Sequence, residues 1–553
     1  MRFLLTLLCL LLALPLLGVA VSWLTFDAQA WQVLAHQAET VLAGYAWQSL
    51  VLAASVGVGV AVLGGGAAAA VALFEFPGRR HFEWALLLPM AMPAYVLAYA
   101  YTDFLQYSGP LQVALRRSTG VEGALWPDVR SLPGAVVLFV LCLYPYVYLL
   151  VRTALAERGV QMMEAARLLG AGLRRRIVAV ALPMARPALA AGVALALMET
   201  LADYGVGSYF GLNTFSTGIY KAWLVMNDRV AAAQLAALLL LVVALLLWAE
   251  RRARRRLRFA ASRGVNAATA TAGNESRAVR LRGRHALLAW LFCAVPVALG
   301  FVLPLAVLAR LVWVEWRSNA IGLPLARFAQ WCATSFQLAA TAAVLAAVLA
   351  LALAFALRSA PGGRRRGGGL HAARNWRDRL LVGAIRSVAL GYAVPGTVIA
   401  VGILLPVGLV QARWPEAPLA AIVTGSVAGL LYAYLLRFSA VALQTIEAGY
   451  ARLPASLDDS ARMLGASRMR LLTQVHAPLL RRSVLAAALL VFVDVMKELP
   501  ATLVLRPFNS DTLAVVAYNL ARDERLAEAA LPSLAIVLVG LLPVLLLSRA
   551  LRR

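Results

Sequence analysis

Twelve predominantly apolar stretches run along the chain, each long enough as a helix, at about 20 residues, to cross the roughly 30 Å hydrocarbon layer of a bilayer. They lie at 3–24, 47–74, 84–106, 132–155, 180–203, 230–249, 286–312, 334–357, 383–410, 418–441, 480–504 and 529–548. Of the 553 residues, 62% are hydrophobic and 14% charged, against about 25% charged in a soluble domain. That leaves too little polar surface for a water-soluble fold of this size. Four widely spaced cysteines, Cys9, Cys142, Cys293 and Cys332, exclude a disulfide scaffold. The expected fold is an all-α polytopic membrane protein.

The net charge of +26 invites a nucleic-acid reading, but the basic residues sit in short loops on every second side of the apolar stretches. These are Arg79 and Arg80, Arg174 to Arg176, the 251–285 segment, the 358–379 segment, Arg468 to Arg482, and the tail Arg549, Arg552 and Arg553. The loops between them, such as 25–46 and 204–228, carry few basic residues. By the positive-inside rule both termini lie in the cytoplasm, and the partner is a lipid bilayer, not nucleic acid. Arg2 before an apolar run, with Ala28-Gln29-Ala30 after it, also reads as a cleavable signal peptide. Against that, the run at 3–24 exceeds the usual 7–15-residue signal core, so a retained first helix is expected.

The polar stretch 262–285 has no apolar periodicity and reads as a linker. It divides the chain into an N-terminal repeat (1–250), a basic cytoplasmic linker (251–285) and a C-terminal repeat (286–553). An offset of 295 residues carries Glu164 to Asp459, Gly170 to Gly465, Pro183 to Pro478 and Thr217 to Thr512. Met198 and Met496 open acidic stretches at a nearly equal offset. Six spans separate the copies, so the repeats run parallel, related by an axis along the membrane normal.

Each repeated loop reads as a short cytoplasmic helix with a tight bend. In the first, Glu164, Ala165 and Ala166 offer a small-residue surface that another protein can approach closely, and Gly170 permits a turn at which a Cβ would clash. The second carries Asp459, Ser460, Ala461 and Gly465 at the same spacing. A helix lying on lipid headgroups would explain one such loop; two copies with matched acid, small residues, Gly and Pro favour docking onto a partner.

This spacing resembles the EAA loop (EAA, three residues, G, nine residues, I-x-L-P) of permease subunits in binding-protein-dependent ABC importers. The first copy matches apart from Val180 for Ile; the second shares that change at Val475 and departs further at Asp459, Ser460 and Ala477. The resemblance implies that the residues named in both loops couple to an ATPase, and that one chain supplies both transmembrane halves. The stretches Ala196-Leu197-Met198-Glu199-Thr200-Leu201-Ala202-Asp203-Tyr204-Gly205, Phe215 to Tyr220, Asp494 to Thr502, Leu505 to Phe508 and Asp511 to Ala514 look like the fused permeases of ferric-iron importers. Fused permeases for thiamine and aminophosphonates share the architecture. The implied partners are two copies of a cytoplasmic ATPase and an extracytoplasmic binding protein, in the bacterial inner membrane. ATP is then used by the partner, and no cofactor is expected on this chain.

Ionisable residues inside spans are costly and mark pathways. Glu199 and Asp203, four apart on one helical face, adjoin Tyr204, and Asp494, Lys497 and Glu498 occupy the matching region of the second repeat. The two clusters are expected to face each other along a translocation pathway, their hard oxygens suiting a hard cation in transit with no stable metal site. The competing reading has Glu199 and Glu498 bonding to backbone or to arginines between helices. Pro89, Pro93 and Pro395 are candidate helix breaks.

The chain lacks G-x-x-x-x-G-K-[ST]: Tyr220 and Met496 precede Lys221 and Lys497, its only lysines. Energy therefore comes from a partner or an ion gradient. A gradient-driven carrier with two parallel halves is the main rival, but it needs no coupling loop. An intramembrane enzyme is weaker still, because no Ser/His, paired Asp or metal cluster occurs at helical spacing.

Overall fold

Without water in a bilayer core, backbone N–H and C=O groups must bond within their own segment, so apolar stretches of this length become helices. The computed structural model describes residues 2–21, 28–156, 160–262, 279–318, 325–359 and 376–552. Among them, the only strands are the two-residue pieces Phe74–Glu75 and Val279–Arg280, paired in parallel. Among the described residues, each of the twelve apolar windows is mostly helical. Nine helices are long and apolar enough to cross a membrane, or ten counting one sharply bent pair, among the described residues. The first window is a shorter apolar helix, Leu4–Ala20. The eleventh falls on Ala477–Met496, which carries Arg481, Arg482 and Asp494.

Three windows depart from straight spans. The third is broken, with Arg79–Ala91 and Ala94–Thr119 meeting at 89°. Pro93 stands at the break with φ −61° and ψ 143°, since proline lacks an N–H and pushes the residue before it out of the helical region. Pro395, at φ −57° and ψ 141°, opens Gly396–Arg413 in the same way and splits the ninth window. The tenth is displaced: Leu419–Gly425 ends, Ser426 accepts the Ala428 N–H at 3.2 Å, and the span runs from Val427 to Tyr450. An apolarity window passes over that serine cap.

The expected linker begins later than its sequence suggests, because Arg229–Ser262 continues as one helix through the arginine run. Residues 263–278 of the linker and 360–375 of the basic 358–379 segment lie outside the described residues. The far end of the linker is pinned by the strand pair and by the Leu281 N–H donated to the Glu75 carbonyl at 2.9 Å.

The sequence repeats are not the units of packing. One compact unit comprises Met1–Gln37, Ile219–Leu240 and Pro324–Val516; the other comprises Ala38–Gly218, Leu241–Leu323 and Ala517–Arg553. Each therefore keeps the four middle spans of one repeat; the first span joins the C-terminal four, the seventh and twelfth join the N-terminal four, and the sixth is divided between the units at Leu240.

In the first unit, Leu325–Arg358, Val427–Tyr450 and Ala477–Met496 pack together, and Arg2–Val21 lies against Trp376–Val388 and Gly396–Arg413. A Cβ on Gly402 would stand 2.5 Å from the Pro15 carbonyl oxygen, so only glycine admits the first helix this closely. Cys9, Leu12 and Val19 are buried there. In the second unit, the triad is Ala43–Leu73, Leu132–Ala154 and Leu182–Ala202, with Leu303–Ser318 packed on Leu526–Arg552. Ser49 accepts the Phe215 N–H at 3.1 Å in that unit, and Ser335 accepts the Leu513 N–H at 2.8 Å in the other.

Candidate functional site

Both repeated loops fold to one pattern. The first is Val160–Leu168, the second Ala455–Met463. Gly170 (φ +78°) and Gly465 (φ +79°) end them in the left-handed region, where L side chains are strained. The Gly170 N–H is donated to Arg167 O and the Ala171 N–H to Ala166 O; Gly465 and Ala466 donate to Arg462 O and Ala461 O in the same way. This paired closure satisfies carbonyls at the helix end that would otherwise lack partners. A short helical turn and a π-helical segment, Ile177–Ala181 or Leu471–His476, then lead into the membrane helix.

Glu164, Ala165, Asp459 and Ser460 are exposed, and Ala166 and Ala461 half-buried. Large apolar side chains are exposed at the tips, Leu168 by 90% and Leu169, Met463 and Leu464 by 88% each.

The second loop is also held from beneath. Asp458, beside the exposed Asp459, is buried. Arg358 donates to its two oxygens at 2.8 and 3.0 Å, and His476 Nε2 lies 3.0 Å from Oδ1. Arg358 also bonds the carbonyls of Tyr450, Leu453 and Pro454 at 3.0–3.1 Å, and Tyr450 Oη lies 3.3 Å from His476 Nδ1. Burial pushes the Asp458 carboxyl up, but the bonds from Arg358 and His476 outweigh it and hold the group below the ordinary aspartate range.

The acids at the span ends take two forms. Asp203 accepts the Val206 N–H at 2.8 Å, and Glu498, its counterpart at the 295 offset, accepts the Ala501 N–H at 2.9 Å, each opening the short helix that follows. Glu498 is further engaged by Arg437 at 3.0 Å, by the Thr502 N–H at 3.0 Å and by the Thr502 hydroxyl. Asp494 pairs with Lys497 at 2.9 Å. The hydroxyls of Tyr204, Ser208 and Tyr518 form a triangle of 2.8–3.2 Å. Glu199 is half-buried, with no hydrogen-bond or ion-pair partner among the described residues. No three His, Cys, Asp or Glu side chains converge as metal ligands among the described residues.

The family model of the binding-protein-dependent transport system inner membrane component matches the chain twice, at residues 61–259 and 367–553. The chain belongs to this family. It is an ABC-type permease, a multi-pass inner-membrane protein carrying both transmembrane repeats. The permease is 24% identical over 505 residues, 91% of its length and 88% of the relative's, to the Fe(3+)-transport system permease protein FbpB 2 of Haemophilus influenzae. It is 27% identical over 181 residues, 32% of its length and 63% of the relative's, to a putative 2-aminoethylphosphonate transport system permease protein of Salmonella paratyphi A. A molybdenum transport system permease protein of Escherichia coli is 29% identical over 138 residues, 25% of this permease and 58% of that relative. These relatives are named as permeases, not enzymes.

The sequence pattern missed Arg358, Asp458, His476, Arg437 and Tyr518. One signal was present: the 295 offset replaces Met163 by Asp458 and Ala181 by His476, polar for apolar at matched positions.

Proposed function

We propose that this permease translocates ferric iron delivered by an extracytoplasmic binding protein, driven by two copies of an ATPase docked on the loops around Glu164 to Gly170 and Asp459 to Gly465. The observation that carries the substrate is the resemblance to a Fe(3+)-transport permease over nine-tenths of the chain, whereas the phosphonate and molybdenum relatives align over a third or less. The docking role is supported by two loops of matched backbone geometry with exposed apolar tips.

In this reading both termini are cytoplasmic, and ATP is bound and hydrolysed by the partner. ATP binding draws the ATPase subunits together, the loops move with them, and the membrane halves switch as rigid bodies between inward and outward openings. The binding protein docks over 204–228 and 506–528. Glu199, Asp203, Tyr204, Asp494, Lys497 and Glu498 border the route.

The test is radiolabelled ferric-ion uptake by iron-starved cells lacking the gene, with and without the restored chain, in a background free of other iron importers. Restoration by the intact gene supports iron as substrate. Unchanged uptake refutes it and turns the search to thiamine and aminophosphonate, the second of which is named in one partial relative.

A further inference from the structure

The two docking loops share one backbone shape, but four matched positions around them carry opposite chemistries in the two repeats. Under the second loop lie Arg358, Tyr450, Asp458 and His476, joined by the bonds described above; the Asp458 and His476 side chains are 3% and 0% exposed. The 295 offset places Leu155, Met163 and Ala181 at the positions of Tyr450, Asp458 and His476, and all three are buried. The mirrored bonds of Ser49 and Ser335 fix the register of the helices before the loops. Counted from those serines along unbroken helix, the residue matching Arg358 is Ala72, also buried. Four positions that form a charged network in one repeat are thus apolar in the other.

These chemistries constrain a loop differently. An apolar contact is non-directional, and its strength follows the area removed from water. The guanidinium of Arg358 is planar and grips the Asp458 carboxylate with two bonds, which fixes direction as well as distance. Three backbone carbonyls, of Tyr450, Leu453 and Pro454, are drawn into the same grip, spanning the turn between the membrane helix and the loop. His476 meets Asp458 from the far side, on the segment that leads back into the membrane, between the rings of Phe355 and Tyr450. The second loop is therefore tied to three elements of its own unit at once.

We propose that Arg358, Asp458 and His476 form a clamp that makes the second loop the rigid lever of the permease and leaves the first compliant. These are positioning residues: they touch neither the substrate nor the exposed docking tip, and act by keeping the loop from yielding when the ATPase moves it. The consequence for transmission rests on the docking reading above; the difference in rigidity does not.

The test uses the full-length permease in lipid nanodiscs, with Cys332→Ser as background and a spin label at Leu169→Cys or Leu464→Cys. Both positions are exposed tips, so labelling disturbs no packing. The label at position 464 is expected to report less motion than that at 169. The combined variant Arg358→Ala, Asp458→Met and His476→Ala copies the first repeat and so keeps a combination this fold already accommodates. It should bring the 464 label to the mobility of the 169 label. In proteoliposomes with ATPase and binding protein, it should keep the ATPase bound yet lower substrate moved per ATP by about fivefold or more, the lower end of ordinary inter-site coupling. Asp458→Glu, which keeps the carboxylate, should restore part of both readouts relative to Asp458→Ala. Equal mobility of the two labels in the unaltered chain, or a combined variant that changes neither label motion nor the transport ratio, overturns the proposal. Failure of the docking reading has a separate signature: an ATPase that does not bind the unaltered permease while the labels still differ.

Discussion

Gly170 and Gly465 hold the same left-handed backbone conformation in the two halves of one chain, φ +78° and +79°, and close their helices with the same pair of hydrogen bonds. Beyond its chain neighbours, neither has an atom of the described residues within 4 Å of where a Cβ would sit. Substitution there acts through backbone strain alone. Gly170→Ala is expected to cost about 1–2 kcal/mol and to leave coupling intact. Gly170→Pro adds the loss of the N–H given to Arg167 O and a ring fixed near φ −65°, so it should uncouple ATP hydrolysis from uptake. The ratio of ATP hydrolysed to substrate moved in proteoliposomes separates the two, and a normal ratio for the proline variant would count against the docking role.

The apolar tips give a second expectation. Leu168, Leu169, Met463 and Leu464 are already exposed, so changing each pair to serine removes little buried area. Thermal stability should move by no more than about 0.5 kcal/mol, while co-purification of the ATPase should fall sharply. Unchanged co-purification with both pairs altered would place the partner elsewhere.

Asp458 makes a third. Its removal leaves Arg358 and His476 facing an uncharged gap, and breaking a buried pair costs about 3–5 kcal/mol. Asp458→Ala should lower the melting temperature far more than Asp459→Ala, whose side chain is exposed. The pH dependence follows from the sign of the shift. A carboxylate held below its ordinary range contributes stability that is present above the unfolded value of 3.8 and is lost as pH falls through the lower folded value. Acidification below 3.8 should therefore release the loop in the unaltered permease and have little further effect in Asp458→Asn, read by limited proteolysis near Arg452 and Arg462.

Much of this architecture was legible because a bilayer leaves the backbone so few choices. Among the described residues the twelve apolar windows are mostly helical, and one offset locates both bends to the residue, since only glycine sits easily at φ near +80°. What stayed hidden depends on partners distant in sequence. Asp459 was singled out over Asp458 because it aligns with the motif's acid, yet it is Asp458 that meets Arg358, 100 residues away. The exchange of outer spans between units was equally invisible, because hydropathy carries no information about which helix a span packs on. Ser426, a lone polar residue inside an apolar window, displaced a span by capping a helix.

Glu199 and Glu498 were drawn from the same pattern, and their surroundings now separate them. Glu498 accepts bonds from Arg437, two backbone N–H groups and a hydroxyl. Glu498→Gln removes the charge that Arg437 faces, which should cost roughly 1–3 kcal/mol and lower the melting temperature. Any fall in uptake from that variant is then confounded with stability. Glu199, half-buried and without such partners among the described residues, lies in the last turn of Leu182–Ala202, where an inserted charge costs less than the about 2.5–3.5 kcal/mol of a helix centre but no bond offsets it. Glu199→Gln should leave the melting temperature unchanged or raised. If Glu199 borders the route of a cation, the same variant should slow iron uptake at equal membrane abundance. Uptake at the unaltered rate would remove Glu199 from the route, and the burden of guiding the ion would fall on Asp203, Tyr204 and the Asp494 and Lys497 pair.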